Sequence, residues 1–265
     1  MESLYELFFE LSNETRLELM RQVSQEPQRL TDLSRTLDLP PQEISRQLSR
    51  LDKILIVWKD VDGLYHLTPY GHHILELLPG YIFLTRYKDY FRDHTIEGIP
   101  AGFKTRIGEL EDSMLVDDVM MSFHYVEEAI RNSEEYIWIM SDQILLSTMP
   151  LLQERLEKGV FFRLIVPKDI KIAAPVRDYF TKSGEGHLPE DKTSSRFTDE
   201  MGAVLIVSEK ELAIAAFPSV DGGFDYKGFR STEENCVKWG RDLFETIWGR
   251  STVRVPEQIQ RLSRR

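Results

Sequence analysis

Between Gln42 and Lys53 the chain reads QEISRQLSRLDK, and its polar residues are the types that read and hold duplex DNA. Arginine offers paired donors to guanine edges, glutamine offers a donor and an acceptor to adenine, and serine and lysine bind phosphate oxygens. Ile44, Leu48 and Leu51 recur at helical spacing, so on a helix they turn to one side. Gln42, Ser45, Arg46, Gln47, Ser49, Arg50 and Lys53 are left on the other. These are the expected DNA contacts, together with Thr31 ahead of the helix and Lys59 beyond it.

Other residues with chemical potential lack the company that catalysis needs. Ser141-Asp142 has no Gly-x-Ser-x-Gly turn around the serine. Neither a phosphate-cradling glycine loop nor a His-Glu-x-x-His helix occurs. His72 and His73 are adjacent and so point to different sides of a helix, which makes a poor metal pair. His124 with Glu127 and Glu128 has the pattern of a solvated helix face. The single cysteine, Cys236, excludes an internal disulfide and offers no thiolate cluster. No catalytic residue, metal ligand or cofactor is expected.

The elements that must position the reading face can be followed outward from it. Leu30, Leu33 and Leu37 form one apolar stripe, Pro40-Pro41 interrupts, and Ile44, Leu48 and Leu51 form the next, which is a helix-turn-helix. Pro41 suits a first helical turn, where its missing N–H has no partner, so the second helix begins near Gln42. Val57-Trp58-Lys59-Asp60 and Leu64-Tyr65-His66-Leu67 alternate around Val61-Asp62-Gly63, a hairpin in the position of a wing. Upstream, Leu4, Leu7, Phe8 and Leu11 form a short stripe. Ser12-Asn13 then caps a helix from Glu14 to Gln25 that buries Leu17, Met20 and Val23.

A chain of 265 residues is longer than a winged helix needs, so about two domains are expected, with 42% hydrophobic residues ample for packed cores. The net charge of −11 argues against strong nonspecific DNA binding. Residues 1–75 hold eight Lys/Arg against twelve Asp/Glu, yet Arg46, Arg50 and Lys53 outnumber Glu43 and Asp52 on the reading helix. No apolar run approaches a membrane span and MESLYELFFELSNE is acidic, so a cytoplasmic protein is expected. The divisions are 1–75 for the winged helix, 76–99 for a helical linker and dimerisation region, and 100–265 for an α/β effector-binding domain. Within the linker, Pro79-Gly80 breaks or kinks the helix, and Tyr81 to His94 resumes it with an apolar face suited to a second subunit.

The second half alternates strands and helices, the pattern of an α/β layered domain. Strands are expected at Met114–Val116, Tyr136–Met140, Val160–Val166, Ala203–Val207 and Leu212–Phe217. Helices are expected at Asp117–Ser133, Met149–Lys158, Ala174–Lys182 and Glu233–Trp248, with a polar loop over Ser183–Ser195. Small molecules bind beyond the carboxyl ends of such strands. The candidate ligand contacts are therefore Ser141, Asp142 and Gln143, then Pro167 and Lys168, then Phe217 with the loop containing Asp225 and Tyr226, and Arg196 for an anionic group.

NETRLELMRQVSQ and the helix-turn-helix-wing after it resemble the ArsR class of winged-helix regulators. The likeness rests on Asn13, Arg16, Leu17, Leu33, Ser45-Arg46-Gln47-Leu48 and Tyr65-His66-Leu67-Thr68. It implies that Gln42, Ser45, Arg46, Gln47 and Arg50 enter the major groove. Two departures are visible. Leu33-Ser34-Arg35 stands where metal-sensing members carry Cys-x-Cys-Asp, so no metal sensing follows. The usual glycine after the recognition helix is replaced within Ile54-Leu55-Ile56, so a different turn is expected there. Residues 100–253, with YIWIMSDQ, LIVPKD, VLIVSEKELAIAAFP and LFETIWGRS, resemble the middle domain of archaeal methanogenesis regulatory proteins. Related sensory domains, including those of TrmB-type regulators, are similar to phospholipase D halves. That chemistry needs His-x-Lys, and none of His66, His72, His73, His94, His124 or His187 has lysine two positions on.

The expectation is an archaeal, homodimeric, sequence-specific transcriptional regulator that binds double-stranded DNA and an unidentified small-molecule effector, with no membrane partner. The fold class is a winged helix-turn-helix, a helical linker and an α/β domain resembling a phospholipase D half without its catalytic motif. The rivals are a phosphodiesterase relative and a low-specificity architectural DNA binder.

Overall fold

Leu19, Met20 and Val23 on one helix, Leu33 on the next, and Ile44, Leu48 and Leu51 on a third converge in a single core closed by Ile56, Val57 and Leu67. A computed structural model describes residues 2–171, 173, 174, 176 and 193–253. These core residues come from α2 (Glu14–Gln25), α3 (Leu30–Thr36), α4 (Pro41–Lys53) and a small sheet, and α1 (Glu2–Leu11) precedes them. The sheet strands are β1 (Gln28–Arg29), β2 (Val57–Lys59) and β3 (Leu64–Leu67), ordered β1-β3-β2 and antiparallel. Pro41 occupies the first turn of α4, as its missing N–H favours.

The hairpin pairs Val57 with Leu67 and Lys59 with Tyr65. Gly63, at φ 83, takes the left-handed position in its turn, and Asp60 Oδ1 accepts from the Asp62 and Leu64 N–H groups at 3.0 and 2.8 Å. The strand β1 is too short to show an alternation, which is why periodicity misses it. On α2 the helix is rotated from the expected setting. Arg16 and Leu19 are buried and Leu17 is only half-buried.

After α4, Ile56 N–H donates to the Leu51 carbonyl and Leu55 N–H to the Asp52 carbonyl, both at 2.9 Å. This is a Schellman turn. Its left-handed position, usually glycine, is held here by Leu55 at φ 62. The turn therefore keeps the ordinary hydrogen bonds and carries backbone strain instead of changing geometry.

The chain divides into two compact units after Pro79. The division falls inside α5 (Pro69–Arg86), which continues through Pro79 without the expected break. From Gly80 on, the expected linker belongs to the second unit. Phe83, Tyr90 and Ile99 are in its core, and Leu84, Tyr87, Phe91 and Ile96 pack against them. After α5 come α6 (Lys88–Asp93), α7 (Ala101–Thr105) and a 3-10 turn at Ile107–Leu110. The apolar face of Tyr81–His94 is thus largely consumed within its own chain, around Phe229 and Phe217.

The second unit is built on an eight-stranded sheet. Its strands are β4 (Met114–Val116), β5 (Tyr136–Met140), β6 (Phe161–Pro167), β7 (Thr193–Thr198), β8 (Val204–Ser208), β9 (Leu212–Ala216), β10 (Gly228–Ser231) and β11 (Thr252–Val253), ordered β11-β7-β6-β5-β8-β9-β10-β4. β5, β6 and β7 run parallel and the other pairs antiparallel. α8 (Val119–Asn132) and α9 (Met149–Glu157) pack with Ile137, Val204, Ile206 and Ile214. α10 (Glu234–Arg250) packs with Met140, Leu205, Val207 and Ala215. β8 and β9 are buried on both sides, which explains their continuous apolar runs. β7, with its polar sequence TSSRFT, begins inside the segment expected as a loop. The expected helix at Ala174–Lys182 and the loop from Ser183 lie largely outside the described residues.

Leu55 is 69% exposed, so replacing it loses little packing. Leu55→Gly is expected to stabilise the first unit by about 1 kcal/mol through relief of left-handed strain. A denaturant midpoint shifted upward with an unchanged slope is the expected reading, and a downward shift contradicts it.

Candidate nucleic-acid interface

Helical geometry separates the residues of α4 into two stripes. Ile44, Gln47, Leu48 and Leu51 point into the core. Gln42, Ser45, Arg46, Ser49 and Lys53 are exposed, as are Thr31 on α3 and Lys59 on the wing. Gln47 is a correction to the sequence reading, being only 4% exposed. Its position three residues after Ile44 is a stripe position, and that spacing could have revealed it.

Gln47 is buried because it completes a polar network around Arg16, itself 4% exposed. Arg16 Nη1 donates to Gln47 Oε1 at 2.7 Å, Nε to the Glu10 carbonyl at 2.6 Å, and Nη2 to the Phe9 carbonyl at 3.1 Å. The Glu10 carboxylate lies 3.1 Å from Arg16 Nε. Gln47 Nε2 in turn donates to Glu43 Oε1 at 2.6 Å.

Arg50 also departs from its expected role. It makes a two-point contact to Glu10, Nε to Oε2 and Nη2 to Oε1, both at 2.8 Å, with its guanidinium 5.2 Å from the Phe9 ring centroid. A bidentate arginine on a shielded carboxylate is a strong, directional contact, so Arg50 holds α1 to α4. Arg46 is different. Its bridge to Glu43 at 2.7 Å is exposed and screened by water, so the side chain can be drawn off by a better partner. The hydrogen bond from Arg50 holds the Glu10 carboxyl below the usual glutamate range, with Arg16 acting the same way against the opposing effect of burial. Hydrogen bonds from Gln47 and Arg46 lower the Glu43 pKa likewise.

On the wing, Trp58 stacks on His66 with centroids 4.7 Å apart, and Lys59 Nζ lies 5.4 Å from the Tyr65 ring centroid. His66 Nε2 is 2.8 Å from Asp60 Oδ2 and is the main cause of the lowered Asp60 pKa. The wing is thus a stiff hairpin carrying an exposed lysine and a half-open indole face.

The sequence-selected ligand residues are only partly brought together. Ser141, Asp142 and Gln143 follow β5, with the Gln143 N–H donating to Ser141 Oγ at 3.2 Å. Tyr226, left-handed at φ 60 and 7% exposed, donates its hydroxyl to Asp142 Oδ1. Burial and then the Asp142 carboxylate push the Tyr226 pKa up. Asp225 lies 3.3 Å from His94 Nε2, a histidine not among the expected contacts, which stacks on Tyr90 at 3.9 Å. The other contacts are engaged elsewhere. Lys168 Nζ bridges to Asp199 at 2.6 Å. Arg196 lies within β7, donating to the Trp248 carbonyl at 2.6 Å over that ring. Phe217 is fully buried, with its N–H on the Tyr90 hydroxyl at 2.9 Å. Among the described residues no cluster of three or more His, Cys, Asp and Glu could hold a metal, and no helix is long and apolar enough to cross a membrane.

A helix-turn-helix with a wing and a free polar stripe on its second helix defines the class of winged-helix DNA-binding proteins. Residues 13–56 match the family model described as bacterial regulatory protein, arsR family, and residues 122–250 match the methanogenesis regulatory protein FilR1, middle domain. The chain is a DNA-binding transcriptional regulator that joins these two parts. Among solved structures it is similar to TrmBL2, an archaeal chromatin protein, at 12% identity over 91% of this chain and 92% of that one, with a TM-score of 0.41. It is also similar to Nuc, a phospholipase D family member from Salmonella typhimurium, at 9% identity over 50% and 90%, with a TM-score of 0.37. Scores this low carry no functional argument. The comparison with curated proteins returns no match.

Because Glu10 is held ionised in the folded chain, it adds stability above the ordinary glutamate pKa of about 4.3. That stability is lost as pH falls through the lower folded value. Unfolding at about pH 7 and about pH 3 should show a larger acid loss for the parent than for Glu10→Gln. Equal losses would contradict the network.

Proposed function

We propose that this chain is a homodimeric, sequence-specific regulator that inserts the outer stripe of α4 into the major groove and answers to a small effector bound by its second unit. The observation that carries the reading is the stripe itself. Gln42, Ser45, Arg46, Ser49 and Lys53 are exposed and contiguous, and no apolar neighbour covers them. Arg46 and Gln42 are the base-reading types, while Ser45, Ser49, Lys53, Thr31 and Lys59 suit phosphates. Dimerisation is supported by α1, where Leu4, Tyr5 and Phe9 are 49%, 68% and 62% exposed on one short helix. Two copies would also match the paired half-sites that such folds read.

The regulator acts without catalysis of its own and works in the cytoplasm. A His-x-Lys phosphodiesterase signature is missing from the sequence, and both family matches are to regulators. Asp142 and Tyr226, at the carboxyl end of β5, are the sequence-selected ligand contacts that still share a place.

Gel-shift titration against a duplex selected by the protein from random sequence tests the DNA reading. Arg46→Ala should weaken specific binding roughly tenfold, within the 1–3 kcal/mol of a base contact, and leave the melting temperature unchanged. Arg50→Ala should lower the melting temperature instead. Equal affinity for selected and random duplexes would overturn sequence specificity in favour of an architectural binder.

A further inference from the structure

A feature of the second unit with no role assigned above lies at the opposite end of the parallel strands from the residues chosen by sequence. A groove of about 680 Å³ opens at the amino ends of β5, β6 and β7, with Tyr136, Trp138, Phe161 and Arg163 among its lining. That volume suits a small molecule. Tyr136, Trp138, Phe161 and Phe162 are its aromatic lining, and aromatic packing continues behind Trp138 into the core. Tyr136 and Trp138 are 4.4 Å apart, Trp138 and Phe244 stack at 5.2 Å, and Phe244 and Trp248 stack at 5.8 Å.

Two polar groups stand at this groove, Arg163 and the Tyr136 hydroxyl. The Arg163 guanidinium sits 4.9 Å from the Trp138 ring and 5.2 Å from the Trp248 ring. Its ion-pair contact is Glu245 at 3.8 Å, too long for a hydrogen bond. Arg16, Arg106, Arg196 and Arg230 all donate to oxygen at 3.2 Å or less, whereas the Arg163 contact is longer. The second group is the Tyr136 hydroxyl, shielded from water and lying beside Arg241. Burial raises its pKa, with Arg241 pulling the other way, so it remains a neutral donor. Two carboxylates, Glu134 and Glu135, also line the groove. Glu134 is held by Lys210 at 2.5 Å, and Glu135 is exposed to solvent.

An arginine stacked between indoles, with its donors open, beside a shielded hydroxyl and an apolar wall, is the chemistry that captures a flat molecule bearing an anionic group. We propose that this groove binds a small planar anion, a ring bearing a carboxylate or a phosphate, with the ring against Trp138 and Phe161 and the anionic group on Arg163. The Tyr136 hydroxyl is the second donor. Its regulatory meaning rests on the effector reading above, while the binding itself does not.

The test uses the full chain, with benzoate and AMP as separate probes, followed by calorimetry and tryptophan fluorescence. At least one probe should saturate at roughly millimolar affinity or tighter. Arg163→Gln should weaken it at least tenfold and Tyr136→Phe several-fold, both with parental melting temperatures. The better probe distinguishes a carboxylate from a phosphate ligand. No saturable binding of either probe, or undiminished binding by Arg163→Gln, overturns the site. Should Arg163→Gln fail to fold, undiminished binding by Tyr136→Phe overturns it equally. Binding that leaves the gel-shift affinity unchanged upholds the groove and overturns effector control.

Discussion

A guanidinium with almost no water around it organises the first unit. Removing Arg16 from solvent costs of the order of several kcal/mol, and the cost is offset only because Glu10, the Phe9 carbonyl and the Gln47 amide all converge on it. Those partners come from α1 and α4, while Arg16 itself is on α2. Withdrawing any one partner leaves a buried charge uncompensated, so the three helices are fixed in one mutual setting. Burial tends to lower the Arg16 pKa and the Glu10 charge opposes it, which keeps the pair ionised. Arg50 adds a two-point contact to the same Glu10 carboxylate.

This network decides which face of α4 can meet another molecule. Gln47 and Arg50 have chemistry suited to bases, yet one is buried and the other is tied to α1. What remains outward is a narrower stripe at intervals of three and four residues, a single line along the helix. The wing adds Lys59 beside it. The acidic net charge of the chain is compatible with this economy, since the reading would then rest on a few well-placed contacts more than on bulk attraction to phosphate.

Much of the fold was legible because it obeys simple periods. The stripes Leu30-Leu33-Leu37 and Ile44-Leu48-Leu51, the Asp-Gly hairpin and the limits of β4 and β5 follow directly from spacing and turn chemistry. The failures have physical causes as well. Gln47 was read outward because it is polar, although its position lies on the core stripe and only the distant Arg16 accounts for its burial. Pro79 suggested a break, while Phe83 one turn later is fully buried and the helix continues. The short strands β1 and β11 and the polar β7 carry no alternation strong enough to see. Arg196 and Phe217 were chosen by chain position near strand ends, whereas their side chains serve α10 and the core. The groove around Arg163 was invisible for the converse reason, since its wall is gathered from β5, β6 and β7 and no local motif records it.

The central claim is that the outer stripe of α4 lies in the DNA groove. Cys236 is fully buried, so a single new surface thiol can carry a copper-phenanthroline cleavage reagent. Attached at Ser49→Cys, the reagent should cut a selected duplex within a few base pairs in each half-site. On a duplex of unselected sequence the same reagent should cut without focus. Focused cutting of the selected duplex alone is the result this account requires; diffuse cutting of it, or the same pattern on both duplexes, would contradict it.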